Sequence, residues 1–439
     1  MVDKHRPEDR EQSDADPATF EGVSFGEVRY AMHKQRNFTV ANTGRVPATV
    51  GFIDRPVGPG QVAGIAPTWL TLKSEDGVKI TANNAKRTLQ PGDTFSVEIE
   101  LRILDVHQAR AFNEGIEQME DILVLRVENG RDHFVPLRGI WLESSLGHSI
   151  SKLIRIPEGG IRKLQRQRPD SSKSNESSTG SDPVKWSAPR ELFRLTEAVE
   201  DLTIKSVAEW SMVSGDEGQS PWEKVAGWPF AEESWISTDS NERSNRLADV
   251  CDALDNDSAF DQALPATLSH LQRLESLASF LLLFLEGMPD GVVPEDLWAQ
   301  IESAMIKNEK EKRPGPTEEE QRTWTQEVLS QSPSHSISFI LLCAMLDRIV
   351  SEVASAHNAL QSEKQNQPEI ASYIRAGAIL RRKTLSKDPA VAYRQVLVRA
   401  MAAIFAPLII RAPVPGKDKE KAVLEDRKMR IIELFLSKD

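Results

Sequence analysis

The segment SLASFLLLFLEGMPDGVVPEDLW, residues Ser276 to Trp298, decides the fold of the second half of the chain. Its apolar residues recur at helical spacing and form one face: Leu277, Phe280, Leu281, Phe284, Leu285 and Met288. Pro289 predicts the end of this helix, because proline lacks the backbone donor and restricts the residue before it. A second apolar segment, MAAIFAPLIIRAP at Met401 to Pro413, predicts another helix that ends near a proline. We therefore predict a helical core in this half.

Composition limits the classes of function that the chain can have. Its 439 residues suit two or more domains, and its formal net charge of −12 argues against a nucleic-acid partner. Cys251 and Cys343 lie far apart in apparent helices, so we expect buried thiols, no metal site and no cofactor. We see no apolar run near the roughly 20 residues of a membrane span and no signal-peptide core. A cytoplasmic protein is predicted.

The first half has the pattern of short strands. Phe95, Val97, Ile99, Leu101 and Ile103 alternate with polar residues, which is typical of a strand with one face in water. Turn residues separate such segments, as at Pro91-Gly92-Asp93 and at Asn129-Gly130, where glycine and asparagine favour a hairpin. Several strands at this spacing favour a β-sandwich of immunoglobulin type.

We predict a multidomain chain with four regions. Residues 1–18 are charged and predicted to be disordered, 19–157 form the all-β sandwich, 158–188 form a Ser-rich linker, and 189–439 form an all-α domain. Within the helical domain, Ile337, Ile340, Leu341 and Ala344 form another apolar stripe. Two polar insertions, Asn308 to Gln321 and Gln361 to Asp388, are predicted to be surface loops.

Both halves resemble known domains. NFTVANTGRVPATVGFI and EDILVLRVENGRDHFVPLRGIWLESSLG resemble an ASH domain, a sandwich of the major-sperm-protein class. The helix with its proline stop and the late IFAPLIIRAP segment resemble a Rho GTPase-activating (RhoGAP) domain. This order is similar to the C-terminal half of type II inositol polyphosphate 5-phosphatases, the Lowe oculocerebrorenal syndrome protein family. Too few residues precede Thr19 for a phosphatase fold, so we expect a C-terminal piece, a shortened gene model or a stand-alone relative.

The RhoGAP resemblance implies a test for catalysis. An active RhoGAP inserts an arginine beside the GTP phosphates, which raises the hydrolysis rate by about 10³ to 10⁵. In the stretch that includes Trp235, the arginine position falls on Ser237, or on Ile236 if the alignment slips by one residue. The positions of a helical lysine and a late asparagine fall on Leu282 and Leu408. These replacements imply that the chain keeps the fold and has lost the chemistry, with no catalytic residue. A displaced arginine, Arg243 or Arg246, is the alternative.

The family resemblance further implies an interaction module. The sandwich is expected to bind a Rab-type GTPase, with Trp141, Leu146 and Gly147 as candidate contacts; packing is the alternative role of the two apolar side chains. The helical domain is expected to bind Rho, Rac or Cdc42 GTPases and adaptor peptides with Phe and His. We expect peripheral attachment to endosomal or Golgi membranes, where a basic group in and near the linker attracts phosphoinositides: Lys152, Arg155, Arg162, Lys163, Arg166 and Arg168. A solvated linker is the alternative.

Overall fold

The computed structural model describes residues 2–3, 21–56, 58, 63–167, 186–213, 220–310, 316–366 and 389–436. The chain forms two compact units. The first comprises Met1–Ser144 and Ser244–Asn256, and the second comprises Ser145–Arg243 and Asp257–Asp439. The predicted disordered segment lies outside the described residues except at positions 2–3. The other predicted domain limits, at 157 and 188, stay predictions.

The first unit is built from two β-sheets, as the strand pattern predicts. One sheet has four strands in the order β1-β3-β7-β5, and the other has five in the order β2-β9-β8-β4-β6. A single helix, α1 (Val106–Asn113), connects β7 to β8. The strands are β1 (Val2–Asp3), β2 (Val23–Val28), β3 (Lys34–Ala41), β4 (Ala48–Ile53), β5 (Leu70–Ser74), β6 (Lys86–Leu89), β7 (Thr94–Leu101), β8 (Glu120–Val127) and β9 (Asp132–Trp141).

Strand β7 shows why this sequence forms a sandwich. Its apolar residues are buried while the polar residues between them are partly exposed, because successive side chains of a strand point to opposite faces. It pairs antiparallel with β3, where Phe38 lies opposite Val97. Phe38 meets Phe52 of the other sheet edge to face, with ring centroids 6.2 Å apart, so the core lies between the sheets. The predicted hairpin is confirmed, and Asn129 adopts a φ of 57° at its turn.

The second unit is helical, so the predicted fold class, a β-sandwich followed by an all-α domain, is confirmed. One helix, α6, begins in this unit, and its residues from Ser244 onward belong to the first. The helices are α2 (Ile150–Leu153), α3 (Gly160–Gln167), α4 (Arg190–Val213), α5 (Pro221–Lys224), α6 (Ser240–Asp255), α7 (Phe260–Ala263), α8 (His270–Gly287), α9 (Glu295–Lys310), α10 (Glu318–Leu329), α11 (Pro333–Asn366), α12 (Pro389–Ile409) and α13 (Asp418–Leu436).

Helix α8 is the predicted apolar helix. Ser269 caps its start, because the Ser269 hydroxyl accepts the Gln272 N–H and the Gln272 side chain accepts the Ser269 N–H in return. The apolar face is buried, with Leu277, Phe280 and Leu281 at most 1% exposed. The helix ends at Gly287, and its C-cap residue Met288 directly precedes the proline that predicts the end.

Several helical predictions need correction. The insertion at Asn308 to Gln321 is shorter than predicted, because α9 continues to Lys310 and α10 begins at Glu318. The second insertion is helical to Asn366, and residues 367–388 lie outside the described residues. The predicted linker, which stays a prediction, contains α3 at Gly160–Gln167. Residues 168–185 lie outside the described residues.

Helix α12 is longer than its apolar segment predicts. It passes through Pro407 and ends at Ile409. By length and composition alone, Ala390–Ile409 could cross a membrane, which corrects the prediction that no run is long enough. Core helices of soluble proteins pass the same test, and Met401 and Phe405 are 0% exposed here. The packing of these side chains favours a core helix.

Candidate functional site

The loop that carries Trp235, Ile236 and Ser237 is held by a buried carboxylate. It follows a 3₁₀ turn at Glu232–Ser234 and precedes α6. The Ile236 N–H donates to Glu275 Oε1 over 2.6 Å, and the Ser237 N–H donates to Glu275 Oε2 over 3.3 Å. Glu275 projects from α8 and is only 3% exposed. The loop backbone is therefore fixed against α8 by hydrogen bonds to a charged group.

The Trp235 side chain fixes the other end of the loop. Its indole N–H donates to the Pro229 carbonyl over 2.8 Å. Asp239 then caps α6, because its carboxylate accepts the Asn241 N–H over 2.7 Å. Between these anchors, Ile236 is 53% exposed and Ser237 is partly exposed. The loop thus exposes about half of Ile236 and part of Ser237.

Leu282 lies on the same face of α8 as Glu275. Residues 275, 279 and 282 are spaced by four and three, which places them in one row along a helix. Seven residues at 1.5 Å each separate Leu282 from Glu275 by about 10 Å along the axis. Leu282 is partly exposed, unlike its fully buried neighbour Leu281. Leu282, a predicted GTPase contact, therefore lies in the same row of α8 as Glu275, which binds the loop.

Leu408 of α12 lies near the C-terminal end of α8, because the segment that follows α8 forms hydrogen bonds with the end of α12. The N–H groups of Val292 and Val293 both donate to the Ile409 carbonyl over 2.8 Å. Gly291 makes this close approach possible, because it has a φ of 64° and a Cβ there would lie 2.9 Å from the Ile409 oxygen. Leu408 is partly exposed beside these buried contacts.

Arg411 joins the same two helix ends. Its guanidinium donates to the carbonyls of Leu285, Glu286 and Met288, at distances of 2.6 to 3.3 Å. The last carbonyls of a helix lack partners within the helix, so Arg411 caps α8 from another segment. Burial lowers the pKa of Arg411, and Asp290 and Glu286 oppose this shift.

Asp290 occupies the turn beside this cap. Burial raises the pKa of its carboxyl group, while His335 and Arg411 partly oppose the increase. His335 Nε2 lies 3.6 Å from Asp290 Oδ2, and His335 Nδ1 lies 3.1 Å from the Val292 carbonyl oxygen. The turn after α8 is therefore a compact polar structure that positions the segment meeting α12.

The two candidate displaced arginines differ in their surroundings. Arg243 lies beside the loop: its guanidinium is paired with Glu232 and lies 5.6 Å from the Trp235 ring centroid. Its side chain is 29% exposed. Arg246 is only 6% exposed, so its guanidinium is not presented to solvent. Of the two, only Arg243 has a position from which a displaced-arginine mechanism could start.

The charge around the loop is mainly acidic. Glu232, Glu233, Asp239 and Glu242 are all exposed in the loop and the first turn of α6. Negative charge repels the phosphates of a bound nucleotide, whereas a RhoGAP arginine neutralises them. This local field disfavours an approach of GTP phosphates to the loop.

Trp141 is integrated into the sandwich. Its indole N–H donates to Asn113 Oδ1 over 2.9 Å, and its ring lies 5.3 Å from the Phe112 ring. In the second unit, Leu146 is 0% exposed, and Gly147 is buried with a φ of 82°. Their role as partner contacts stays a prediction. Burial favours packing for Leu146, and the hydrogen bond and ring contact favour it for Trp141.

The side chains of the predicted basic group differ in their exposure to solvent. Arg155, Lys163 and Arg166 are exposed and Lys152 is partly exposed, but Arg162 is only 4% exposed. Arg168 lies outside the described residues. Among the described residues, no group of three or more His, Cys, Asp or Glu side chains could hold a metal ion.

Sequence reasoning missed Glu275 and Arg411. A signal for Glu275 was present, because a charged residue between Leu274 and Leu277 interrupts the buried face of α8. Buried carboxylates need hydrogen-bond donors, so such a residue indicates a partner from elsewhere in the fold. Arg411 carried a similar signal, as a cation within the apolar segment that ends α12.

Comparison with known proteins finds a family match within the first half. Residues 19–141 match the family described as inositol polyphosphate 5-phosphatase OCRL-like, ASH domain, which confirms the predicted ASH resemblance. The type II inositol 1,4,5-trisphosphate 5-phosphatase of Mus musculus is 30% identical over 134 residues. The match spans 30% of this chain and 12% of the mouse protein.

Two solved structures resemble parts of the chain. Human Rho GTPase-activating protein 15 is 11% identical with a TM-score of 0.27, covering 44% of this chain and 66% of that one. The ASH/PapD-like domain 7 of human CEP192 is 11% identical with a TM-score of 0.17, covering 28% of this chain and 82% of that one. At these TM-scores neither likeness carries an argument about function.

Proposed function

We propose that this chain is an interaction module whose helical unit binds Rho-family GTPases, such as Rac or Cdc42, without accelerating GTP hydrolysis. The observation that carries the proposal is the loop held by Glu275, which presents Ile236 and Ser237 where the RhoGAP resemblance implies an arginine. Leu282 lies on α8, and Leu408 lies on α12 next to Ile409, whose carbonyl accepts the N–H groups of Val292 and Val293 in the segment after α8. Apolar residues at these positions support partner contact rather than charge stabilisation.

The physical argument concerns the transition state. Hydrolysis builds charge on the phosphate oxygens, and positioned cations lower its energy. A serine hydroxyl can donate one hydrogen bond but supplies no positive charge. Exposed alkyl groups such as Ile236 instead contribute to binding through their burial, at about 25 cal/mol per Å² of apolar surface. The surface is therefore suited to holding a partner in its existing nucleotide state.

The test combines binding and hydrolysis. We expect the full chain to bind a Rac-like or Cdc42-like GTPase loaded with a non-hydrolysable GTP analogue, and to leave single-turnover GTP hydrolysis at its intrinsic rate. Ile236→Ser should weaken binding about tenfold, since a central apolar contact is worth about 1–2 kcal/mol. Ile340→Ser is a matched control, because Ile340 is 44% exposed on α11, away from the loop sequence. No binding by the parent, or equal losses in both variants, would refute the proposal.

A displaced arginine is the second candidate, and the position of Arg243 beside Trp235 favours it. In that case the parent accelerates hydrolysis and Arg243→Ala abolishes the acceleration. The ion pair with Glu232 argues against this function, because the guanidinium must leave a carboxylate to reach a phosphate. The substitution Glu232→Gln weakens that ion pair. If the chain has lost catalysis, the GTPase mixed with this variant should still hydrolyse GTP at its intrinsic rate.

Adaptor peptides are proposed to bind exposed apolar residues elsewhere in the helical unit. The predicted stripe of α11 points outward, with Ile337 and Ile340 at 40% and 44% exposure. Phe193 of α4 is 50% exposed, and the two helices are joined by an ion pair between Arg348 and Glu200 over 3.1 Å. A short peptide with aromatic residues could cover these side chains. Phe193→Ser should weaken peptide binding in a titration and leave GTPase binding intact.

The sandwich is proposed to bind a Rab-type GTPase. Support comes from the ASH family match over residues 19–141. The five-stranded sheet exposes Ile122, Phe134 and Ile140 at 38%, 62% and 43%, which provides apolar area for a partner. Phe134→Ser should reduce Rab binding more than Trp141→Phe does, because Trp141 packs inside its own unit.

The wider family function is not assigned to this chain. The match covers 12% of the mouse enzyme, so a relation to the C-terminal part of a 5-phosphatase is supported, whereas phosphatase activity is not.

We propose a cytoplasmic protein that attaches peripherally to endosomal or Golgi membranes through Lys152, Arg155, Lys163 and Arg166. Co-sedimentation with phosphoinositide liposomes should then fall as salt rises, and salt-independent binding would refute the electrostatic attachment.

A further inference from the structure

One carboxylate determines the direction of the partner-facing loop. Both oxygens of Glu275 accept backbone N–H groups from consecutive residues, Ile236 and Ser237. Two adjacent N–H groups that converge on one acceptor restrict the peptide plane between them. The side chain of Ile236 is consequently directed by a residue 39 positions later in the chain.

The burial of Glu275 explains why this contact can hold the loop firmly. The residue is 3% exposed, so water competes weakly for its oxygens. Hydrogen bonds that involve an ionised group are shorter and stronger than neutral ones, in accord with the 2.6 Å distance to Ile236. Loss of the acceptor would leave two backbone donors to find water instead. The loop would then sample further conformations.

We propose that Glu275 is a positioning residue for the GTPase partner: it holds the 235–237 loop in the conformation that presents Ile236. The proposal rests on the proposed function, because it assigns Glu275 a role in the same binding surface. Glu275 itself is buried and acts through the loop backbone. Its replacement therefore lowers affinity by lowering the fraction of molecules with a competent loop.

The test uses the full chain and two substitutions. Glu275→Gln keeps one oxygen as an acceptor and replaces the other by an amide that cannot accept, whereas Glu275→Ala removes both. Hydrogen exchange of the peptide covering 235–239 should accelerate from parent to Gln to Ala. Affinity for the GTPase loaded with the GTP analogue should fall about tenfold in the Gln variant if one molecule in ten keeps the competent loop.

The control is Glu286→Gln, which removes the same charge from an exposed site on the same helix. It should leave hydrogen exchange of the 235–239 peptide unchanged. If α8 peptides of the Glu275→Gln variant exchange hydrogen at nearly the parent rate, the variant is folded. If Glu275 only stabilised α8, its replacement would accelerate exchange throughout α8 and would not accelerate exchange selectively in the 235–239 peptide.

The outcomes separate this proposal from the proposed function. Unchanged exchange at 235–239 in both variants overturns the positioning role. Faster exchange with unchanged affinity also overturns it, while GTPase binding by the parent still stands. If the parent binds no GTPase in the panel, the proposed function fails and the partner-positioning role fails with it, and the exchange data then report only whether Glu275 holds the loop.

Discussion

Arg411→Ala should destabilise the helical unit, because Arg411 caps α8 from outside that helix. The guanidinium donates to three carbonyls, those of Leu285, Glu286 and Met288. A hydrogen bond to a charged group contributes about 1.5–3 kcal/mol, but three bonds from one half-buried cation are not additive. Water can also reach part of the helix end after truncation. We therefore expect a loss of about 3 kcal/mol, which includes about 0.5 kcal/mol from the helix dipole.

Urea unfolding followed by far-UV circular dichroism measures this loss, because the helical unit supplies most of the signal. Arg411→Lys should recover about half of the lost stability, since one ammonium group cannot reach three carbonyls in the fixed geometry of a guanidinium. Arg399→Ala is the matched control: Arg399 is exposed on α12, and its loss should change stability by less than about 0.5 kcal/mol.

Two results would refute this reasoning. A loss below about 1 kcal/mol in Arg411→Ala would mean that water serves the α8 carbonyls as well as the guanidinium does. Full recovery of stability in Arg411→Lys would mean that the stem of the side chain, not the hydrogen bonds of the guanidinium, stabilises the unit. The slope of the free energy with urea must stay constant between variants for either comparison to hold.

Two further predictions concern single contacts. Asp290→Asn should stabilise the helical unit at neutral pH, because burial raises the pKa of Asp290 and its ionised form is unfavourable in the folded state. As pH falls through that raised pKa toward the ordinary value of 3.8, the parent carboxyl is protonated and the difference between parent and variant should shrink; urea midpoints at neutral pH and at about pH 4 measure it, and a difference that grows would contradict the assignment. Trp141→Phe should cost the sandwich about 1 kcal/mol by removing the hydrogen bond to Asn113, and should leave Rab binding unchanged; loss of Rab binding without loss of stability would show that Trp141 is a partner contact.

The elements that the sequence predicts well are those with a strong local period. The alternation in β7 and the apolar stripe of α8 each reflect one buried face, and burial of that face is the main energy that forms the element. Turn residues such as Asn129 add a backbone requirement that the neighbouring sequence displays directly. For these elements, local pattern and tertiary packing agree, and the predictions are confirmed.

The prediction is weaker where the decisive contact is distant in sequence. Glu275 meets the loop 39 residues before it, and Arg411 meets carbonyls more than 120 residues before it. Neither pairing leaves a periodic signal. The stripe of α11 shows the reverse case, because Ile337 and Ile340 follow the helical period and yet face outward. A period indicates that a helix has an apolar face but does not say which surface covers it.

Our proposal that the chain does not accelerate GTP hydrolysis also predicts the effect of adding an arginine to the 235–237 loop. Three charged residues of the helical unit are engaged in contacts within it: Glu275 holds the loop, Arg411 caps α8, and Arg243 is paired with Glu232. The positions that face outward, Ile236 and Leu282 among them, carry alkyl groups. We predict that Ser237→Arg alone does not confer GTP hydrolysis, because the exposed carboxylates of Glu232 and Glu233 nearby in the sequence would attract the new guanidinium. An arginine placed there without removal of that acidic charge should stay on the protein surface.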